Sequence, residues 1–166
     1  MKEPKRRSTL TIRRATDGDR RAICTVHVRA IREVCSRSYS ADQVASWAGL
    51  LSADSYRAVV RERFLVVAED AGGIAGFGQL NQSSGEVDAV YVLPGRQGEG
   101  IGGALLHSLE DAARDAGLEK LHLSATLNAV SFYERAGYVG EGPVVHRLPT
   151  GVELECLRMS KELAPS

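Results

Sequence analysis

Apolar positions along the chain recur with two periods, and the switches between them mark the elements. From Thr9 to Arg14 apolar and polar residues alternate, the period of a strand. Thr16 followed by Asp19 has the spacing of a capping box. Ile23, Val26, Ala30, Ile31 and Val34 then recur at helical spacing to about Cys35. Ser40 with Gln43 opens a short helix through Trp47, and Ser52 starts another that reaches about Arg61. Phe64 to Ala68 reads as a buried strand. The turn Asp70-Ala71-Gly72-Gly73 reverses the chain into Ile74 to Leu80, and Ser83-Ser84-Gly85 leads into Glu86 to Leu93. These three runs predict an antiparallel meander.

Pro94 stops the third strand, and a glycine-rich loop runs into a helix with Ile101, Leu105, Leu109, Ala112 and Ala116 on one face and Gly117 as its terminator. Lys120 to Ser124 is the next strand. A short helix from about Ala129 to Ala136 ends at Gly137, a strand starts at Tyr138, and Val152 to Ser160 closes the fold. Hairpins dominate the first half, and helices alternate with strands in the second. The pattern predicts a single α/β or α+β domain, a mixed sheet covered by helices. Its expected limits are residues 9 to 161, with a flexible basic arm at 1 to 8 and a frayed tail at 162 to 166.

Charge narrows the partners. The 166 residues carry 21 Lys+Arg against 21 Asp+Glu, so no global basic field is available to hold nucleic acid. Residues 1 to 37 hold 11 basic and 4 acidic groups, however, so the remainder of the chain is net acidic. The longest apolar runs, Phe64 to Ala68 and Ala89 to Leu93, fall far short of the roughly 20 residues that span a bilayer, so no membrane segment is expected. Cys24, Cys35 and Cys156 are odd in number and lack metal-binding spacing. With no secretory signal pattern after Met1 to Arg7, they predict free buried thiols, a reducing, cytoplasmic setting and no metal.

The stretch Val90 to Gly103 carries the most chemistry. A strand ends, glycines permit a tight turn, and a helix begins whose first N–H groups have no intrahelical partner, which makes an anion site. Side chains at Gly98, Gly100 or Gly102 would obstruct a phosphate there. Gly98-x-Gly100-x-x-Gly103 also matches a dinucleotide fingerprint. Yet Ser124-Ala125-Thr126 stands where that fold wants an acidic residue, and no Gly-Lys-Ser/Thr of a Walker loop is present.

Two motifs together resemble the GNAT N-acetyltransferase family. Gln97-x-x-Gly100-x-Gly102 follows a strand ending Val92-Leu93-Pro94, and Phe132-Tyr133-Glu134-Arg135-Ala136-Gly137-Tyr138 is similar to the family's second motif. The likeness runs from Thr9 to about Lys161 and is weakest over residues 20 to 60. It implies a largely antiparallel mixed sheet with splayed central strands, acetyl-CoA as cosubstrate, and direct transfer of its acetyl group to a primary amine of a small molecule, peptide or protein in a ternary complex. A non-catalytic acyl-CoA sensor of the same fold is the alternative. Homodimers are frequent in that family.

Carried over by position, the resemblance implies that Val90, Tyr91 and Val92 pair with the pantetheine arm and acetyl carbonyl. Gln97, Gly98, Glu99, Gly100, Ile101, Gly102 and Gly103 would hold the pyrophosphate. Tyr133 matches the general acid, since a phenol with a pKa of about 10 is protonated at neutral pH and can donate to a departing thiolate. Glu86 is placed as general base, with Asp88, two residues on, as a second candidate. Asn128 is a candidate cofactor contact although the family's asparagine falls at Thr126. His27, Arg29, Tyr39 and Trp47 border the expected acceptor pocket. His107 and His122 read as structural or exposed, since neither completes a triad.

Overall fold

The computed structural model describes residues 9–165, and the elements appear in the predicted order. The arm expected over residues 1 to 8 lies outside the described residues. Seven strands, β1 (Thr11–Arg14), β2 (Phe64–Asp70), β3 (Gly73–Asn81), β4 (Glu86–Val92), β5 (Lys120–Thr126), β6 (Val139–Arg147) and β7 (Glu153–Glu162), form one sheet in the order β1-β2-β3-β4-β5-β7-β6. Every neighbouring pair is antiparallel except β4 and β5.

Five α-helices cover the sheet: α1 (Arg20–Glu33), α2 (Ala41–Ala48), α3 (Arg57–Glu62), α4 (Ile101–Asp115) and α5 (Val130–Arg135). The Ser40/Gln43 box caps α2 as expected. The Thr16/Asp19 box instead closes a single 3-10 turn, Asp17–Asp19, before α1. Its carboxylate is held by both terminal nitrogens of Arg13 at 2.8 and 3.0 Å while it accepts from the Thr16 N–H at 2.8 Å, which tightens that first turn. Ser52 likewise opens a 3-10 turn, Ala53–Tyr56, ahead of α3.

The apolar stripes find opposite faces of the sheet. Ile101, Leu105 and Leu109 of α4 join Val66, Leu80 and Leu123 on one face, and Ile23 and Val26 of α1 join Leu65, Val67 and Phe77 on the other. A third cluster links Ile31 and Cys35 with α2 and Leu154. Burying each such leucine contributes roughly 1.5–3 kcal/mol. Close approach of α4 depends on β3 glycines: a Cβ on Gly76 would lie 2.8 Å from the Tyr91 carbonyl oxygen and 3.0 Å from Leu105. Ala116 is exposed beyond the end of α4, and Leu106 and Ala113 widen the buried stripe in its place.

Two strands run further than their sequence pattern indicates, because their ladder continues. β5 pairs on through Thr126 with Cys156, and β7 through Glu162 with Lys120. Leu163 is buried and its N–H bonds the Glu119 carbonyl at 2.8 Å, so ordered structure reaches past residue 161 into the expected tail.

Candidate active site

β4 and β5 share a single ladder position, Glu86 opposite His122, and diverge beyond it. A bulge drives the divergence. The β3–β4 register passes from Leu80/Val87 to Gln79/Ala89, leaving Asp88 as an extra residue, and such insertions bend the strand that carries them. The resulting V opens into a cavity of about 570 Å³ walled by β4, the loop before α4, α5 and the end of α1.

The edge of β4 that faces the cavity is unpaired. The Leu93 N–H bonds the Ala75 carbonyl at 2.8 Å, so by the alternation of an antiparallel ladder Tyr91 also spends its main-chain groups on β3. Val90 and Val92 therefore point their N–H and C=O groups toward β5, where no strand among the described residues pairs with them. At the mouth, Gly98 and Gly100 both have φ of +81°, a conformation that favours glycine. Gly100 is the N-cap of α4, supplies no side-chain cap, and leaves the first amides of the helix free in a turn without acidic residues. Ion pairs brace the loop. Arg96 bonds Asp70 at 2.6 Å and Glu99 at 2.8 Å, holding the Asp70 carboxyl below its ordinary range.

The sequence-predicted residues divide by position. Glu86 and Glu99 fall outside the cavity lining, and the other predicted cofactor and catalytic residues lie on it. The glycines also divide by task. A Cβ at Gly102 would press on the Phe132 ring at 3.2 Å, so the missing side chain makes room for helix packing, whereas nothing lies within 4 Å of a Cβ at Gly98, Gly100 or Gly103.

Tyr133 sits in α5 with its ring edge-on to Phe132 and Tyr138, at centroid distances of 5.0 and 5.6 Å. Gly137, with φ of +95°, ends the helix, and the Tyr138 N–H returns to the Tyr133 carbonyl at 3.0 Å. Burial holds the phenol well above its ordinary pKa, so it is protonated at neutral pH. Beside it, Oδ1 of Asn128 is buried with no hydrogen-bond partner among the described residues. Such an orphan acceptor costs free energy unless a ligand donor reaches it. Burial pushes the nearby Cys35 thiol up to about 11, and Asn128 acts against that shift.

The two candidate bases differ sharply. Glu86 is bound side-on by Arg158, at 2.8 and 2.9 Å, and touches Nδ1 of His122. Asp88 lines the cavity with its side chain 30% exposed, accepts from Gln79 Nε2 at 3.1 Å, and lies 3.7 Å from Arg63. Burial raises the Asp88 carboxyl, and the Glu86 charge adds to this against the Gln79 bond and Arg63. His122, expected to be structural or exposed, thus joins an ion cluster at the apex of the V. His107 is exposed and lies 3.4 Å from Asp111.

On the α1 side, Ala30, Val34 and Cys35 wall the cavity. His27 stacks on Tyr91 at 4.3 Å and bonds the Tyr56 hydroxyl at 2.7 Å through Nδ1, and burial lowers its pKa to about 4. It stands behind the cavity wall rather than in it. Arg29 pairs with Glu33 at the surface. The Tyr39 hydroxyl donates to the Glu155 carbonyl at 2.5 Å and accepts from the Leu127 N–H at 3.1 Å, with Trp47 packed on its ring, so both aromatics tie the α1–α2 segment to the sheet. Sequence reasoning missed Arg158, Ser124 and the α1 wall. Their separation along the chain gives no local signal, because only the strand order brings them to β4.

Comparison with known proteins agrees with this architecture. A model of the acetyltransferase (GNAT) domain matches residues 35–161. The Bacillus subtilis N-acetyltransferase YjcF is 34% identical over 64 residues, which is 39% of this chain and 46% of that protein. The chain thus spans about half the length of this curated relative. An N-acetyltransferase from Rhodopseudomonas palustris superposes with a TM-score of 0.87 at 26% identity, over 94% of this chain and 97% of that one. The PaiA N-acetyltransferase of Thermoplasma acidophilum, solved with coenzyme A, superposes with a TM-score of 0.73 at 18% identity, over 93% and 99%.

Proposed function

Because the chain belongs to the GNAT acetyltransferase family, we propose that its cleft takes acetyl-CoA and passes the acetyl group directly to a primary amine. The observation that carries this reading is the unpaired edge of β4 on the same cavity that Tyr133 lines. Amides of a pantetheine arm find donors and acceptors at Val90 and Val92, and the Asn128 oxygen accepts one further N–H. The free amides at the start of α4 hold the pyrophosphate with the helix dipole behind them.

Asp88 takes the proton from the incoming ammonium, which an alkyl amine of pKa about 10 carries almost fully at neutral pH. The amine nitrogen then bonds the thioester carbon. A main-chain N–H on the β4 edge donates to the carbonyl oxygen as negative charge gathers there. As the carbon–sulfur bond breaks, Tyr133 gives its phenolic proton to the thiolate, and the second proton of the newly bonded nitrogen passes to the phenolate and restores it. Small apolar side chains at Ala30, Val34 and Cys35 favour an acceptor with an uncharged, apolar body, and Asp88 supplies a carboxylate on the lining for its ammonium end.

A release assay for CoA thiol, run over a panel of alkyl and aralkyl amines, amino acids and peptides, tests this with wild type and Tyr133→Phe. Turnover that falls in the variant while acetyl-CoA binding persists is the expected result. Tight acetyl-CoA binding without thiol release from any amine would support the sensor alternative instead.

A further inference from the structure

The ion cluster at the apex of the V has a geometry that general acid–base chemistry does not call for. Glu86 and His122 form the single backbone ladder position between β4 and β5, and the side chains of that same pair touch. Arg158 reaches from β7 to bind both Glu86 oxygens, contacts His122 Nδ1, and donates to Ser124 Oγ at 3.3 Å. Three strands are thereby joined by side chains where the main-chain ladder stops. The bulge at Asp88 follows directly, so the restrained and diverging parts of β4 are two residues apart.

We propose that Glu86, His122 and Arg158 form a clasp that fixes how far β4 and β5 separate, which makes Glu86 and Arg158 positioning residues rather than participants in proton transfer. A carboxylate whose two oxygens are both occupied by one guanidinium is poorly placed to receive an amine's proton. Nε2 donates to the Ser84 carbonyl at 2.8 Å, which fixes the ring and turns Nδ1 toward the Glu86–Arg158 pair. Cleft width sets whether a ligand between the strands can reach the β4 edge and α5 at once. Loosening the clasp therefore weakens cofactor binding.

The test uses acetyl-CoA as the probe and needs no acceptor. Glu86→Gln, Arg158→Gln and the double variant are measured by calorimetry with acetyl-CoA, with thermal melting as a check on folding. Each single variant is expected to weaken binding on the order of tenfold, and the double variant by no more than either, as for residues acting as one unit. Hydrogen exchange at the His122 amide, which bonds the Gly85 carbonyl at 3.1 Å, should quicken in all three. Arg158→Lys, which keeps the charge but loses the two-point grip, should fall between wild type and Arg158→Gln and serves if the other variants fold poorly. A Glu86 acting as base would leave acetyl-CoA affinity untouched, and a merely stabilising cluster would lower the melting point without changing affinity. Unchanged affinity with unchanged exchange in both single variants would overturn the clasp. Failure of wild type itself to bind acetyl-CoA would instead overturn the proposed function, and His122 exchange would then decide the clasp alone.

Discussion

A methyl group on Gly102 would lie 3.2 Å from the Phe132 ring, which locks the first turn of α4 against the helix that carries Tyr133. Gly102→Ala should displace Phe132 by a few tenths of an ångström and move the neighbouring phenol with it. The expected result is a lower kcat with a near-normal melting temperature. Gly103→Ala meets open space one residue on, and should stabilise the helix by up to about 1 kcal/mol. Chemical denaturation and steady-state kinetics of the two variants check the contrast.

Asn128→Ala removes a buried acceptor that has no partner among the described residues. The unliganded protein should lose little stability, because the variant removes an acceptor that is buried without a partner among the described residues. Acetyl-CoA binding should weaken by about 1–2 kcal/mol, the value of one hydrogen bond in a site that excludes water. Calorimetry on the variant, beside its melting curve without ligand, measures both.

Asp88→Asn should act in opposite directions on activity and stability. Its carboxyl is raised in the folded state, so the charged form is disfavoured there and its removal should raise the melting temperature at neutral pH. Turnover should fall by roughly 10²–10⁴, the scale of general-base catalysis. A rise of kcat/KM with pH that reports this carboxyl, expected above the ordinary Asp value in wild type because burial raises it, should vanish in the variant. Rates over a pH series with one responsive amine provide the readout.

Stability should decline at both ends of the pH scale for identifiable reasons. His27 is depressed from 6.5 to about 4, so its stabilising share is fully present above 6.5 and is lost as pH falls through about 4. His27→Gln should flatten that acid limb in urea titrations. All five tyrosines are raised, chiefly by burial, so their share is complete below the unfolded value of about 10 and is lost as pH climbs beyond it. Phenolate absorbance and unfolding should therefore rise together.

Local chemistry made much of the site legible. The glycines before α4, the Pro94 stop and the helix containing Tyr133 follow from residue types and spacing, and the structure keeps them where the pattern puts them. The place of Glu86 was not legible in that way. Counting along the chain brings it near the chemistry, but it cannot reveal that Arg158, 72 residues away, occupies both its oxygens. Nor does a period of two anticipate the bulge that makes Asp88 an extra residue, because a bulge depends on the partner strand. The task of Gly102 was likewise hidden, since only the packing of α5 against α4 shows what its missing Cβ makes room for.

Hydrophobic periodicity, turn residues and helix caps are short-range signals, and by themselves they determined the elements, their order and the glycine-rich turn before α4. Which strands part, which carboxylate is neutralised and which remains at the cavity depend on contacts between residues far apart in the chain. The tertiary structure decided these: Glu86, His122 and Arg158 meet only because β5 and β7 lie beside β4 in the sheet.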